Sequence, residues 1–471
     1  MRQIANRCIN DGRINDGIEA HKNILLINDN LSDIWYNLGY LERCGRRYTD
    51  AIHSYRRALE IGIARREEVH LNISAIFSEH LNQADQAEKE LITAIRVNPY
   101  FILAWLNLGN LYEDMGDPEK ARSAYRSALD LEPENGRALG RLAMIDIFEA
   151  KASESVIKLR ATLEDNSILP DDAAEISFAL GHALDAVGEY DDAFAAFTIA
   201  NTAMQPVERY SALRNEQLID SLINIFAHPS TSLYSDDTKP LIFICGMFRS
   251  GSTLAEQRLA LHSRVTAGGE FEFIPALVAE KLQPYPQKFM HLNDAQLLEL
   301  RNAYLNDLKA IYPKYDIITD KRPDNFLHIG LIKALFPNAK IVHTYRQPLD
   351  NILSIYFGHF DKSIIYGNEL ENIAHWYLQY SRLMQHWKQV YPNDIFDLNY
   401  DRLVVDSHSS MSELLSFCGL ETEKGVATKA PKSSIVKTLS SWQVRQPLHA
   451  RSSGRWKNYE AHLTDIIKIF E

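Results

Sequence analysis

The chain has 471 residues, 46% of them apolar, and a formal net charge of −12. That length suits two or three domains with real cores, and the acidic balance argues against general nucleic-acid binding, which needs a basic face. The 4 cysteines, Cys8, Cys44, Cys245 and Cys418, show no C-x-x-C spacing, so neither a zinc site nor a disulfide framework is expected. The start, Met1-Arg2-Gln3-Ile4, lacks the apolar region of a secretory signal, and no run of about 18 apolar residues could span a bilayer. The expected compartment is the cytoplasm, with no membrane partner and no metal.

In the first two-fifths, Trp35, Gly39, Ala51, Tyr55 and Ala58 recur at identical spacing as Trp105, Gly109, Ala121, Tyr125 and Ala128, and Pro133 falls where a unit should end. Weaker copies lie around Ala87, Leu91 and Ala94, and around Gly181, Ala193, Phe197 and Ala200. Residues 136–169 keep helical periodicity without the signature. The pattern resembles the tetratricopeptide repeat, a helix–turn–helix of about 34 residues. The resemblance implies an α-solenoid over 1–201 whose concave face suits a protein or peptide acceptor. The other reading is that the array only stabilises the enzyme or makes it a homodimer.

Residues 202–237 read as a helical connector and linker. The polar stretch His228 to Pro240, bounded by prolines, is the expected domain junction. A chain beginning near Ser232 is therefore expected to keep nucleotide binding, and 238–471 to hold the chemistry.

Leu241 to Cys245 has the length and β-branched content of a buried strand. It runs into Met247-Phe248-Arg249-Ser250 between Gly246 and Gly251, then into a helix beginning at Ser252-Thr253. Strand, glycine loop and helix start form an anion cradle, with backbone N–H groups and the helix dipole aimed at negative charge. The spacing approaches G-x-x-x-x-G-K-[ST], but Ser252 stands where that motif has lysine. The strong cation is Arg249, inside the loop.

Further strands are expected at 316–319, 340–345 and 395–398, alternating with helices. That alternation predicts a parallel sheet with helices on both faces and ligands at the carboxyl strand ends. The third of these four strands ends at Arg346, with Ser354 on the helix that follows. Arginine and serine there can close on one phosphate, the arginine through two bonds and the serine through one.

The loop Phe248-Arg249-Ser250-Gly251-Ser252-Thr253 resembles the 5′-phosphosulfate loop of sulfotransferases, and Arg346…Ser354 resembles their 3′-phosphate site. The resemblance implies a P-loop-like α/β fold and the donor 3′-phosphoadenosine 5′-phosphosulfate, with no metal. It assigns the donor to Arg249, Ser250, Gly251, Ser252, Thr253, Arg346, Ser354, Tyr400 and Arg455. In Gly268-Gly269-Glu270, Glu270 is similar to the catalytic base of the tyrosylprotein branch, with Glu272 its rival. Lys321, before Arg322 and Pro323, resembles the lysine that meets the oxygen joining sulfate to phosphate. Arg322 could share that task, and Asn325 could orient the loop or reach the acceptor. Within 438–447, Ser440 matches the family's transition-state serine, one residue from Ser441.

The chain departs from the tyrosylprotein branch at Phe271-Glu272-Phe273, where that branch carries an arginine, and by lacking its membrane anchor. Repeats joined to such a domain look more like bacterial repeat-containing sulfotransferases. The expected acceptor is a hydroxyl, with protein tyrosine ahead of a glycan or small molecule. The rival readings are a nucleotide kinase, which lacks its loop lysine here, and a non-catalytic repeat scaffold.

Overall fold

The computed structural model describes residues 7–8, 12–165, 168–206, 208–229, 240–360, 363–423, 426 and 452–471. These divide into two compact units, one ending at Ile145 and one beginning at Asp146.

The first unit is helical: α1 Ile14–Ile27, α2 Ser32–Cys44, α3 Tyr48–Ile61, α4 Arg66–Ala75 with a π-turn at Ile76–His80, α5 Ala84–Val97, α6 Ile102–Met115, α7 Pro118–Leu131 and the first part of α8 Gly136–Phe148. The repeated residues have one structural job. Tyr55 of α3 is fully buried with its ring on Gly39 of α2, where a Cβ would come within 2.9 Å of it. Tyr125 of α7 lies on Gly109 of α6 in the same way, at 2.4 Å. Only the missing side chain lets the paired helices close over the ring. Each aligned tryptophan also fixes its repeat's entry: Trp35 Nε1 donates to the Asp29 carbonyl at 2.8 Å, and Trp105 Nε1 to that of Pro99 at 3.0 Å. Asp117 caps α7 by accepting from the Lys120 N–H at 3.1 Å, with Pro118 in the first turn.

The second unit opens with α9 Ala152–Leu163, α10 Pro170–Val187, α11 Tyr190–Ala203 and α12 Ala212–Ile225. Phe197 of α11 sits on Gly181 of α10, the third copy of the aromatic-on-glycine lock. The sheet and its helices follow: β1 Leu241–Gly246, α13 Ser252–Leu259, β2 Val265–Thr266, α14 Phe273–Lys281, α15 Asp294–Ile311, β3 Ile317–Lys321, α16 Ile329–Leu335, β4 Lys340–Tyr345, α17 Pro348–Tyr356, α18 Leu370–Val390, β5 Ile395–Asn399, α19 Tyr400–Val405 and α20 Ser407–Phe417. A 3₁₀ segment, Arg455–His462, and α21, Thr464–Phe470, end the described chain.

All five strands are parallel, in the order β2-β3-β1-β4-β5. Every residue of β1 and β3 is buried, as expected where both faces of a parallel strand are covered. The register then decides where the site lies. Ile244 pairs with Lys321, Gly246 with Thr344, and Tyr345 with Asn399. The ends of β1, β3, β4 and β5 are therefore level, and Lys321, the 246–251 loop, Arg346 and Tyr400 emerge on one edge.

One outcome differs from the sequence reading. Strand β2 was not anticipated, because two residues carry no periodic signal. The two compact units meet at 145/146, a division by packing that stands beside the division by residue pattern, which ends the repeats at 201 and puts the junction at 228–240. Helices α10 and α11 share a unit with the sheet for a physical reason. Phe197 stacks on Phe357 at 3.9 Å, Asn201 donates to the Tyr356 carbonyl at 2.8 Å, and Phe194 stacks on His462 at 4.2 Å. An aromatic helix pair of repeat type has been built into the α/β unit.

Candidate active site

The loop after β1 is tightly determined. Gly246 has φ +153°, and a Cβ there would stand 2.2 Å from the Thr344 carbonyl oxygen. Gly251 has φ +100°, and its Cβ would stand 2.6 Å from the Tyr400 ring. Between them Arg249 adopts φ +66°, a left-handed backbone conformation that is uncommon for non-glycine residues. The Ser250 hydroxyl lies 2.8 Å from that of Thr344, joining the β1 and β4 loops. Ser252 and Thr253 are buried at the start of α13.

Arg249 Nε donates to Ser354 Oγ at 3.1 Å, so the two predicted phosphate sites meet. Arg346 is buried beside them. It donates to the Ser452 carbonyl at 2.5 Å and the Arg249 carbonyl at 3.5 Å, and its guanidinium lies 4.9 Å from the Tyr400 ring centre. Its Nε is buried without a hydrogen-bond partner among the described residues, an orphan that an anion would satisfy. Burial, then the guanidinium groups of Arg346 and Arg455, push Arg249 down to about 10.

Arg455 is held by a carboxylate. It forms a side-on pair with Asp185 of α10, Nε to Oδ1 at 3.0 Å and Nη2 to Oδ2 at 2.6 Å, over the Phe357 ring. Asp350 of α17 accepts from the backbone N–H groups of Gly454 at 2.6 Å and Trp456 at 2.9 Å, docking this segment beside Arg346. Neither carboxylate was anticipated. Asp185 lies in a repeat-like helix far from any motif, and Asp350 reads as an ordinary first-turn acid.

The second group forms at the end of β3. Lys321 is buried, 2% exposed, and its Nζ lies 2.5 Å from Glu270 Oε1. Glu272 is exposed at the start of α14 and caps nothing there with its side chain, so geometry favours Glu270. Beneath the pair, buried Glu256 of α13 accepts from the Thr319 hydroxyl at 2.6 Å and the Gly269 N–H at 2.9 Å. Burial raises its carboxyl, against the pull of Lys321. Glu256 was overlooked because a glutamate inside a helix has no sequence signature. Arg322 turns away to Asp324 at 3.1 Å, and Asn325 donates to buried Asp320 at 3.1 Å, orienting its own loop. Ser440 and Ser441, with the rest of 438–447, lie outside the described residues.

Residues 240–424 match the sulfotransferase family model and residues 102–135 the tetratricopeptide repeat model. The chain thus carries a sulfotransferase-family domain behind tetratricopeptide repeats. It is 28% identical to an uncharacterised protein of Aquifex aeolicus (strain VF5) over 77% of this chain and 49% of that protein. It is 24% identical to protein-tyrosine sulfotransferase A of Caenorhabditis elegans over 49% of this chain and 65% of that protein. It is also 25% identical to protein-tyrosine sulfotransferase 1 of Danio rerio over 52% of this chain and 74% of that protein. The chain therefore spans about half of the Aquifex relative and about two-thirds of the Caenorhabditis one. Among solved structures, the sulfotransferase domain of the Synechococcus PCC 7002 olefin synthase aligns with TM-score 0.38 and 16% identity, covering 51% of this chain and 96% of that one. MamA aligns with TM-score 0.30 and 19% identity, covering 40% and 96%. No helix among the described residues is long and apolar enough to cross a membrane.

Proposed function

We propose that the protein transfers a sulfuryl group from 3′-phosphoadenosine 5′-phosphosulfate to an acceptor hydroxyl. The observation that carries this reading is the convergence of Arg249, Ser354 and Arg346 at two level strand ends, with the Arg346 Nε orphaned. The loop N–H groups, Arg249, Ser250, Ser252 and Thr253 would hold the 5′-phosphosulfate. Arg346, Ser354 and Arg455 would hold the 3′-phosphate, and Tyr400 would flank the nucleotide.

The acceptor oxygen attacks sulfur in line as the bond from sulfur to the bridging phosphate oxygen breaks. Glu270 takes the acceptor proton, Lys321 meets the charge on the departing phosphate, and 3′-phosphoadenosine 5′-phosphate leaves. The contact between Lys321 and Glu270 at 2.5 Å sets the two groups side by side, where substrates would enter between them. Ser440 stays a proposal of the same reading. Protein tyrosine is the first candidate acceptor, supported by the two tyrosine-specific relatives. A glycan or small phenol is the second, because Phe271-Glu272-Phe273 replaces the arginine of that branch. The repeats would contribute to acceptor choice.

Calorimetry tests the donor site. Arg346→Ala should weaken 3′-phosphoadenosine 5′-phosphate by about 1.5–3 kcal/mol, the worth of a charge-assisted bond, and leave adenosine 5′-phosphosulfate almost untouched. Equal losses for both nucleotides would misplace the site. A labelled-donor screen over tyrosine peptides, glycans and phenols identifies the acceptor.

A further inference from the structure

Repeat-like helices need not have touched the chemistry at all, yet α10 reaches it. Asp185, in the last turn of α10, accepts two N–H groups of Arg455 and also the Tyr459 hydroxyl at 2.6 Å. One turn earlier, His182 faces the same cations. Burial and then the Arg455 and Arg249 charges push its imidazole down to about 4, so it stays neutral there. Its partner α11 is fixed against the end of α17 by the Phe197–Phe357 stack and by Asn201, which donates to the Tyr356 carbonyl at 2.8 Å. Helix α10 itself is fixed by His359, which lies 3.1 Å from Glu175.

From this geometry we infer that the α10–α11 hairpin is a working part of the donor site, with Asp185 the positioning residue that aims Arg455 at the 3′-phosphate. The inference rests on the donor reading above. A guanidinium offers five N–H donors in a rigid fork, of which Asp185 takes the Nε side and leaves three. An untethered arginine must give up its rotamer freedom when the phosphate arrives. One already clamped by a carboxylate has lost that freedom on folding. The segment bearing Arg455 begins at Gly454, whose φ is +76°. It is tied down by Asp350 on one side and Asp185 on the other, so each arginine of the 3′-phosphate group has its own acid: Asp350 for Arg346 at 4.0 Å and Asp185 for Arg455. These acids also offset the repulsion among the cations. The carboxylate lies behind the guanidinium and is neutralised by it, so its repulsion of the ligand is the smaller effect.

The test is calorimetry on the full chain with 3′-phosphoadenosine 5′-phosphate and with adenosine 5′-phosphosulfate, in a double-mutant cycle of Asp185→Asn and Arg455→Gln. Asp185→Asn should weaken the first nucleotide about tenfold, within the range of residues sharing one ion-pair network, and leave the second nearly unchanged. In the Arg455→Gln background the same substitution should cost nothing more, because Asp185 acts through Arg455. Unchanged or tighter binding by Asp185→Asn, or additive losses in the cycle, would overturn the inference. A wild-type protein that binds neither nucleotide would overturn the donor reading itself. Should Asp185→Asn fail to fold, Arg455→Lys answers the same question, since lysine keeps the charge but cannot lie side-on to Asp185. Binding equal to wild type would then sink the idea.

Discussion

Two acids, Asp320 within β3 and Glu270 against the Lys321 that ends it, sit in opposite environments. Glu270 is exposed, and its carboxylate meets the Lys321 ammonium at 2.5 Å. Asp320 is buried and is pushed up to about 7 by desolvation, against the hydrogen bonds from Tyr304 and Asn325 that favour its charged form. Removing a general base costs roughly 10²–10⁴-fold in rate. Glu270→Gln should therefore lose turnover on that scale while donor affinity holds, and lose least with an acidic phenol that is already ionised. Lys321→Ala should slow transfer to every acceptor alike, because it acts on the leaving phosphate. Steady-state rates across a phenol series distinguish the two, and a wild-type rate for Glu270→Gln on an unactivated hydroxyl would move the assignment to Glu272. Asp320 makes a prediction about stability. Its folded pKa exceeds the unfolded value of about 3.9, so the native state binds the extra proton. That contribution is fully present below the unfolded value and is lost as pH rises through about 7. The stability of wild type relative to Asp320→Asn should fall across that window in urea titrations. A difference independent of pH would show that the carboxyl is already ionised in the folded state.

At the scale of elements, one device recurs: an aromatic ring of the second helix lying on a glycine of the first. It appears at Gly39 with Tyr55, Gly109 with Tyr125 and Gly181 with Phe197. A Cβ at Gly109 would stand 2.4 Å from the buried Tyr125 ring, which itself donates to Glu113 and Asn110 at 2.7 Å and cannot give way freely. Gly109→Ala should destabilise the first unit by about 1–3 kcal/mol, the usual cost of overpacking. This should hold even though alanine is the better helix former, by about 1 kcal/mol. A urea midpoint at or above that of wild type would mean that the helices shift apart without cost. In the α/β unit the corresponding device is register. Parallel pairing levels the strand ends, so residues scattered from 246 to 400 in sequence share one edge.

At the scale of the molecule, the chain divides after Ile145 rather than before the first strand of the sheet. A chain beginning near 232, which the sequence alone suggests would suffice for nucleotide binding, would lack Asp185, Phe197 and Asn201. It would leave Arg455, Phe357 and the Tyr356 carbonyl without the partners they have here. Residues 146–471 should fold and bind 3′-phosphoadenosine 5′-phosphate, whereas residues 232–471 should aggregate or bind it far more weakly. Circular dichroism and calorimetry on the two pieces decide the matter, and full binding by the shorter one would show the hairpin to be dispensable.

The sequence by itself determined what depends on local spacing. A repeat is legible because the same five residue types return at the same intervals. The strand–glycine-loop–helix cradle is legible because strand, turn and helix start are consecutive. Both the class of the two halves and the candidacy of Arg249, Arg346 and Ser354, each beside its own strand end, followed from such short-range patterns and the resemblance they carry. What only the tertiary structure decided was every pairing across long sequence separation. Examples are the contact of Glu270 with Lys321, the buried Glu256 beneath that pair, the diversion of Arg322 to Asp324, and the clasp of Asp185 on Arg455. A carboxylate's role is set by which cation the fold brings within about 3–4 Å of it and by how much water that removes, and neither quantity is written in the residues beside it.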